Sequence, residues 1–375
     1  MSLYIGLMSG TSLDGVDGVL AQLDGDASGR TAIKVVAHHQ VSFPEDLRTR
    51  LLRLNGRGDD ELHLAALAAN TLVRIYAGVV DALLRQCGVS VSQVHAIGAH
   101  GQTVRHRPQE FDGTGYTLQL MNGALLAELC GIDVVCDLRS RDVAAGGQGA
   151  PLVPALHAAL FAAPGEDVAV LNLGGIGNLT LLPADGPVRG FDCGPGNALL
   201  DLWCQRHRGQ AYDDRGRWAA SGQVDMALLQ RLLAEPFLHR APPKSTGRDL
   251  FNAPWLEAAM CALDSAPSPV DVQATLTEFS ACAAAQALTA QAPQTRRLLV
   301  CGGGAFNDRL MQRLTAHLAG TAVSSTAAVG ISPLQVEALA FAWLAQAFVS
   351  RRPGNLATVT GARGPRVLGA LYPAS

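Results

Sequence analysis

Two glycine-rich segments carry residue types that suit the binding of an anion. In Ile5–Asp17 an apolar strand leads through a turn rich in Gly, Ser and Thr into a second strand, and Val168–Leu181 repeats this arrangement around Gly174-Gly175. Such turns expose backbone N–H groups with little side-chain bulk, which suits a phosphate. The pair favours two lobes that each offer a phosphate-binding turn to a nucleotide held between them. A pair of ordinary β-hairpins is the structural alternative.

The nucleotide-binding motifs that the chain lacks narrow this interpretation. Its two lysines, Lys34 and Lys244, do not complete a G-x-x-x-x-G-K-[ST] run, so a P-loop is excluded. No G-x-G-x-x-G follows a strand and opens a helix, so a dinucleotide-binding unit is unsupported. Each glycine-rich turn leads instead into another strand.

Asp192 is the candidate catalytic carboxylate. It lies in Gly190–Asn197 (GFDCGPGN), where we expect a turn after a strand and a helix starting near Asn197. Phosphoryl transfer needs a base within hydrogen-bond reach of its nucleophile. The structural alternative for this aspartate is a helix N-cap or an Asx-turn.

A triple glycine forms the candidate site for the adenosine part of a nucleotide. Gly302, Gly303 and Gly304 follow the predicted strand Arg297–Cys301, and Asn307 opens the next helix. Three glycines let a flat ligand approach the backbone, whereas a tight strand–helix turn, the alternative, needs only one.

The elements that must position these residues alternate between strand and helix. We expect strands near Ile33–Ala37, Ala96–Ala99 and Val134–Cys136, and long helices from Glu61 to Leu84 and over Val272–Ala290. This order predicts an α/β protein with a mixed or parallel sheet. Ala144–Pro151 is the candidate interdomain turn, which gives a first lobe over 1–150 and a second over 151–375. The last helix, near 333–349, could pack against the first lobe although it follows the second in sequence.

The composition indicates a cytoplasmic protein that binds neither nucleic acid nor a membrane. The 375 residues carry a net charge of −3 without a basic stripe. The 8 cysteines are scattered and form no C-x-x-C, which argues against a disulfide framework or a zinc site and is typical of reduced thiols. The N-terminus resembles no secretory signal, and no uninterrupted apolar span approaches the length of a membrane helix.

Taken together, several segments resemble anhydro-N-acetylmuramic acid kinases over nearly the whole chain. One departure is Cys136–Arg139 (CDLR), where this family is expected to have ADFR. The matching segments are Gly6–Gly15, His100–Thr103, Asp142–Pro154 (DVAAGGQGAPLVP), Gly190–Asn197, Pro243–Arg248 (PKSTGR) and Val300–Asn307 (VCGGGAFN).

The resemblance implies a two-lobed, ribonuclease H-like fold of the actin, sugar-kinase and heat-shock-chaperone ATPase group. It implies that 1,6-anhydro-N-acetylmuramic acid, ATP and water give N-acetylmuramic acid 6-phosphate and ADP, in peptidoglycan recycling, and that the enzyme is a homodimer. Asp192 would then activate the water that attacks the anomeric carbon. The implied phosphate contacts are Gly10, Thr11, Ser12, Leu13, Asp14, Gly15, Val16, Asp17, Gly174, Gly175 and Asn178.

The resemblance also suggests a metal ion and substrate contacts. Phosphoryl transfer calls for Mg²⁺. We expect Asp14 to lie nearer to this ion than Asp17, and the alternative is that Asp14 only closes the hairpin turn. The residues that bind the metal are left open. Arg139 and Arg141 are candidates for the lactyl carboxylate of the sugar, with Arg141 favoured by motif position. Glu337 could bind sugar hydroxyls, and the alternative is that its negative charge only stabilises the N-terminus of a helix.

Two roles and two rival functions stay open. Lys244 could act near the substrate or in lobe closure. For His100, a structural role or a contact with the substrate is favoured over metal binding. The rival enzyme is an ordinary hexose or acetate-type kinase, in which Asp192 would deprotonate a hydroxyl. The rival from another class is an actin-like or chaperone-like ATPase.

Overall fold

The chain folds into two compact units. The computed structural model describes residues 2–10, 12–25, 31–247 and 249–374. One unit comprises Met1–Leu160 and Gln335–Ser375, and the other comprises Phe161–Leu334. The chain therefore first passes from one unit to the other after Leu160 rather than after residue 150. The segment Ala144–Pro151, expected as an interdomain turn, lies inside the first unit.

Strands and helices alternate along most of the described chain, so the predicted α/β class is confirmed. The strands are β1 Leu3–Met8, β2 Gly15–Gly25, β3 Thr31–Ser42, β4 Val94–Ala99, β5 Gln102–Pro108, β6 Gly115–Leu120, β7 Val134–Cys136, β8 Val168–Leu173, β9 Ile176–Leu182, β10 Arg189–Pro195, β11 Arg297–Cys301, β12 Ala322–Ser325 and β13 Ala370–Tyr372. The helices are α1 Glu45–Leu54, α2 Glu61–Cys87, α3 Gly123–Cys130, α4 Ser140–Ala144, α5 Val153–Phe161, α6 Ala198–Arg208, α7 Arg217–Ala220, α8 Met226–Leu233, α9 Ala253–Cys261, α10 Pro269–Gln291, α11 Asp308–His317, α12 Val336–Val349 and α13 Ala357–Thr360.

The first unit is built on a six-stranded sheet in the order β13-β7-β4-β1-β2-β3. Strand β1 is antiparallel to β2 and parallel to β4, and β4 is parallel to β7. Because the carboxyl ends of parallel strands meet at one edge, the turn after β1, His100 after β4 and Arg139 after β7 lie along the same edge of the sheet.

Helices cover both faces of this sheet. Leu72, Tyr76, Val79 and Leu83 recur at helical spacing on α2 and are buried with Ile5 and Leu7. On the opposite face, α12 approaches so closely that a Cβ on Gly6 would lie 1.9 Å from the Ala338 carbonyl oxygen. The close approach explains why glycines occupy the middle of β1 and β4.

Helix α2 also has the length and composition of a membrane span. It is the single such helix among the described residues, and 50% of its most apolar window is buried inside the protein. The helix ends at Gly88, whose left-handed backbone conformation serves as the C-cap.

The second unit contains a five-stranded sheet in the order β10-β9-β8-β11-β12. Strands β8, β11 and β12 run parallel, and β9 is antiparallel to both of its neighbours. Helices α10 and α11 pack on one face through Ala281, Ala284, Leu310 and Leu314. Since β10 runs in the same direction as β8, the carboxyl ends of β8, β10 and β11 share one edge.

Candidate active site

A row of polar side chains crosses the sheet of the second unit near its carboxyl edge. Asn172 on β8 pairs directly with Asn178 on β9, which pairs with Asp192 on β10. Directly opposed residues of antiparallel strands point to the same face. Phe191 and Cys193 are buried in the apolar cluster that includes α10. Alternation along the strand therefore places Asp192, Asn178 and Asn172 on the face away from α10 and α11.

Asp192 lies within β10, not in the turn that the sequence predicts. Its Oδ2 accepts hydrogen bonds from Ser245 Oγ at 2.8 Å and from the Thr246 amide at 2.9 Å. Burial raises the pKa of Asp192, while these two hydrogen bonds and the Lys244 charge act in the opposite direction. Both described hydrogen bonds go to Oδ2, so Oδ1 is the oxygen left for a further donor. The helix expected near Asn197 is α6, and its N-cap is Asn197 rather than Asp192.

Lys244 holds the loop that contacts Asp192. Its Nζ donates to the carbonyl oxygens of Phe237 at 3.2 Å and Leu238 at 2.8 Å, and lies 4.9 Å from the centre of the Phe237 ring. Its own carbonyl accepts the Asp192 amide at 3.1 Å. Lys244 therefore anchors Ser245 and Thr246 beside the carboxylate.

The glycine pair of the second hairpin packs against the start of α6. The carbonyl oxygens of Gly174 and Gly175 accept hydrogen bonds from the amides of Gly196, Asn197 and Ala198 at 2.8 to 3.1 Å. These amides are thus engaged by the protein itself. Within the described part of the chain, a Cβ added to Gly174 would meet only the Ile176 carbonyl oxygen, at 3.7 Å. The space in front of this turn is therefore open to a ligand.

The three glycines after β11 have unequal surroundings. Gly302 has a φ of +79°, and a Cβ there would lie 2.4 Å from Asn172 Oδ1. A Cβ on Gly304 would lie 2.5 Å from that of Leu173, whereas one on Gly303 meets only Asn197, at 3.7 Å. Two of the glycines thus let the loop pack on β8, and Gly303 faces open space. Asn307 is the N-cap of α11, where its Oδ1 accepts from the Leu310 amide at 3.0 Å.

The first unit carries the other predicted turn, between β1 and β2. The Gly10 carbonyl accepts hydrogen bonds from the Leu13 amide at 3.2 Å and from Gln102 Nε2 at 3.1 Å. The side chains of Leu13 and Val16 are buried in the core, so these two residues can offer only their backbones to a ligand. Among the described residues, a Cβ on Gly10 would meet only Ser12 Oγ, at 3.7 Å. Thr11 lies outside the described residues.

The two candidate metal carboxylates differ in their surroundings. Asp17 lies on β2, as expected, and its Oδ1 is 3.0 Å from His38 Nε2. Asp14 is exposed at the end of the turn, and its carbonyl accepts the Phe43 amide at 3.1 Å. Gly15 beside it packs against Val41, whose carbonyl oxygen would lie 2.1 Å from an added Cβ. Asp14 is therefore the carboxylate of this pair that faces solvent.

Arg139 links the carboxyl ends of three parallel strands. It donates to His100 Nε2 from Nε at 3.1 Å and from Nη2 at 2.9 Å, and to the Gly149 carbonyl at 2.7 Å. Arginine can only donate, so His100 Nε2 is an acceptor and the proton sits on Nδ1, 3.2 Å from the Ser9 carbonyl. Burial and the Arg139 charge lower the pKa of His100 to about 3. His100 is thus neutral, and both of its ring nitrogens are engaged by hydrogen bonds.

The candidate substrate residues Arg139, Arg141 and Glu337 have different environments. Burial lowers the pKa of Arg139 to about 10, against the opposing charges of Glu337 and Asp142. Glu337 lies in the first turn of α12, as expected, whereas Arg141 is exposed on α4. The charge of Glu337 therefore acts on Arg139, whereas Arg141 lies at the surface.

One protein-family description accounts for nearly the whole chain. Residues 2–374 match the family model of anhydro-N-acetylmuramic acid kinase. The chain belongs to this kinase family.

Relatives named as anhydro-N-acetylmuramic acid kinases support this assignment along their full length. The protein of Variovorax paradoxus is 62% identical over 377 residues, covering 99% of both chains. That of Bordetella petrii is 62% identical over 374 residues, covering 99% of this chain and 96% of the relative. Among solved structures, the activator of the 2-hydroxyisocaproyl-CoA dehydratase from Clostridium difficile aligns with a TM-score of 0.48 and 13% identity, over 93% of this chain and 97% of that chain.

The contacts of several residues in and around the kinase family's motifs could not be predicted from the sequence. Ser245 and Thr246 contact Asp192 from a loop more than fifty positions away, a proximity that only the folded chain reveals. Asn172 is buried within an otherwise apolar strand, and this isolated polar residue was a usable signal. Asp142 is fully buried and accepts hydrogen bonds from Gly149, Asn355 and Thr360. It fastens the loop that was expected to join two domains.

Alanine at Gly10 or Gly174 is expected to weaken ATP binding without unfolding the protein. An added Cβ meets no described atom closer than 3.7 Å at either position. It nevertheless occupies the space in front of each turn, where the phosphate is expected to bind. Loss of one charge-assisted hydrogen bond costs about 1.5–3 kcal/mol, so the Kd for ATP should rise about tenfold or more. Calorimetry with ATP measures this. Gly56→Ala, with nothing within 4 Å of the new Cβ, is the control. An unchanged Kd in both variants would remove these turns from the phosphate site.

Ser245→Ala is expected to shift the pH dependence of turnover. The Ser245 hydroxyl stabilises the charged form of Asp192, so its removal should raise the pKa of that carboxyl further. A base works only when deprotonated, so turnover should begin to fall at a higher pH as the solution is acidified, with the plateau largely retained. Ser221→Ala, in which the lost hydroxyl donates to the Trp218 carbonyl, is the matched control. Superimposable pH profiles would show that Ser245 does not tune Asp192.

Proposed function

We propose that this chain is an ATP-dependent kinase that opens the 1,6-anhydro ring of 1,6-anhydro-N-acetylmuramic acid and phosphorylates the 6-oxygen. The products are N-acetylmuramic acid 6-phosphate and ADP, and the pathway is peptidoglycan recycling. The observation that carries the proposal is the match of residues 2–374 to the family of this name. The half-buried, hydrogen-bonded carboxylate of Asp192 supplies a residue able to act as the base.

The proposed chemistry begins with proton transfer to Asp192. Oδ1 accepts a proton from water, whose oxygen attacks the anomeric carbon while the bond between that carbon and the 6-oxygen breaks. The freed 6-oxygen takes the γ-phosphoryl group of ATP, and ADP leaves. Ser245 and Thr246 hold Oδ2, so the carboxylate keeps its orientation throughout. The proton on Asp192 then passes to solvent.

The remaining site residues keep their proposed roles. We assign ATP phosphates to the two glycine turns, adenosine to the loop of Gly302–Gly304 and Asn307, and the substrate carboxylate and hydroxyls to Arg139, Arg141 and Glu337. Arg139 is the stronger candidate of the two arginines, because the charge of Glu337 acts on it while Arg141 is exposed. Because the Arg139 guanidinium already donates to His100, it would bind the substrate through its remaining N–H groups.

Mg²⁺ fits the carboxylate chemistry of the first turn. Asp14 offers an exposed oxygen donor beside Gly10, and this hard ligand suits the ion. When bound with ATP, Mg²⁺ neutralises charge that develops on the phosphates. Asp17 is the poorer candidate because its carboxylate already contacts His38.

We extend the proposal to a cytoplasmic homodimer. The free thiols of all eight cysteines agree with a reducing compartment. The dimer rests on the family resemblance alone, and light scattering on the purified protein tests it.

Isotope tracing separates the proposed reaction from its rivals. In ¹⁸O-water with ATP and the anhydro-sugar, the label should enter the anomeric hydroxyl, and ADP release should depend on the sugar. A hexose or carboxylate kinase would phosphorylate glucose or acetate without placing solvent oxygen in the sugar. An actin-like or chaperone-like ATPase would hydrolyse ATP at a rate that the sugar leaves unchanged. Either result would contradict the proposal.

A further inference from the structure

Three side chains of the second unit form a compact donor cluster away from Asp192. Glu278 and Cys282 are four residues apart on α10, so they share a face, and His317 is the last residue of α11. His317 Nε2 lies 2.8 Å from Glu278 Oε1 and 3.2 Å from Cys282 Sγ, and Sγ lies 3.8 Å from Oε1. Carboxylate oxygen, thiol sulfur and imidazole nitrogen thus converge at one point.

The spacing of these donors approaches one face of a tetrahedron around a zinc ion. Zinc binds sulfur at about 2.3 Å and nitrogen or oxygen at about 2.0–2.2 Å, so tetrahedral donors lie about 3.3–3.6 Å apart. The three separations here, 2.8, 3.2 and 3.8 Å, bracket that range. Side-chain shifts of about half an ångström therefore suffice to admit the ion.

A cavity beside the cluster provides room for a fourth ligand. Its volume is about 340 Å³, and Cys282 and His317 line it together with Gln286 and Thr289. Glu278 and Cys282 are almost fully buried, while the His317 side chain is 30% exposed. Three protein donors with an open side describe a site that a water molecule can complete.

Arg313 determines which cation the cluster would prefer. Its guanidinium donates to Glu278 Oε2 at 2.5 Å and to Oε1 at 2.9 Å. This positive charge offsets the carboxylate, so a hard cation held mainly by charge gains little. A borderline-soft ion that bonds to thiolate and imidazole is favoured instead. We propose that Glu278, Cys282 and His317 bind Zn²⁺ as a site separate from the kinase centre.

Such an ion would join two helices rather than take part in phosphoryl transfer. It would connect the middle of α10 to the C-terminal end of α11. Asn307, at the other end of α11, is about 15 Å away along the helix, at about 1.5 Å per residue. Zinc should therefore stabilise the second unit while leaving turnover with Mg²⁺ and ATP unchanged.

Metal titration of the full chain, first stripped with a chelator, tests the site. We expect one Zn²⁺ per chain, a rise in melting temperature, and no comparable binding of Mg²⁺. Co²⁺ should give the near-ultraviolet absorption of a cobalt–thiolate bond. Cys282→Ala should abolish that absorption, and His317→Gln should weaken zinc at least tenfold. Cys261→Ala, which removes an exposed cysteine outside the cluster, should change neither.

Three results would overturn the zinc site. They are an absent cobalt–thiolate band, a band that survives in Cys282→Ala, and zinc binding that is lost in Cys261→Ala instead. Because these readouts are absorption, stoichiometry and melting temperature, they are independent of the kinase assay. Glu278 is left unchanged in the test since its removal would also strand the Arg313 charge.

Discussion

Replacing Asp192 by asparagine is expected to lower turnover by about a hundredfold to ten-thousandfold, the range that a positioned acid–base group contributes. Asparagine keeps the shape of the side chain and an oxygen for the donors of Ser245 and Thr246. It cannot take a proton from water. The loss should therefore fall on turnover, while the Kd values for ATP and sugar change little.

The matched control for this variant is Asp225→Asn. Asp225 is a helix N-cap whose carboxylate accepts the Leu228 amide at 2.8 Å, and asparagine serves nearly as well in that position. Turnover and melting temperature of both variants should be measured together. Near-normal turnover of Asp192→Asn would leave Asp192 as a residue that only fastens the Lys244–Thr246 loop.

The second large effect is expected in the first unit, where Gly98→Ala should destabilise the protein. A Cβ at Gly98 would lie 1.9 Å from the Phe341 carbonyl oxygen, so α12 must move away from β4. Overpacking of this kind costs about 1–3 kcal/mol, and sometimes more. Glu337 lies in the first turn of the same helix, so turnover should fall together with stability.

Gly78→Ala provides the control for this variant. Gly78 is exposed in the middle of α2, and nothing lies within 4 Å of its added Cβ. Alanine there should stabilise the helix by about 0.5–1 kcal/mol. Chemical denaturation measures both changes. Equal stability of Gly98→Ala and the unmodified protein would mean that α12 does not pack on β4 as described.

Local patterns were sufficient to predict the elements but not every position within them. Apolar spacing and the Cys87-Gly88 ending predicted α2, and the same reasoning placed α10 and α12 closely. The hairpin of β5 and β6 was missed, since its residues are mostly polar and partly exposed. Asp192 was expected in a turn because glycine and proline follow it, yet pairing with β9 extends β10 through Pro195.

The candidate site was predicted as motifs, and its contacts came from the fold. Gly302 and Gly304 illustrate the difference, since their nearest neighbours are Asn172 and Leu173 of a distant strand. Arg139 is similar: motif position favoured Arg141, but burial beside His100 cannot be inferred from adjacent residues. Such long-range contacts depend on which strands become neighbours, and local residue preferences do not specify that.

The path of the chain has a consequence for its synthesis. Strand β1 packs on α12, but the whole of Phe161–Leu334 separates them in sequence. A ribosome delivers the N-terminal end first, so the second unit is complete while the sheet of the first still lacks the helix that covers one of its faces. The first unit must therefore finish folding last, and chains released before Val336–Val349 would carry an uncovered sheet that invites aggregation and chaperone binding.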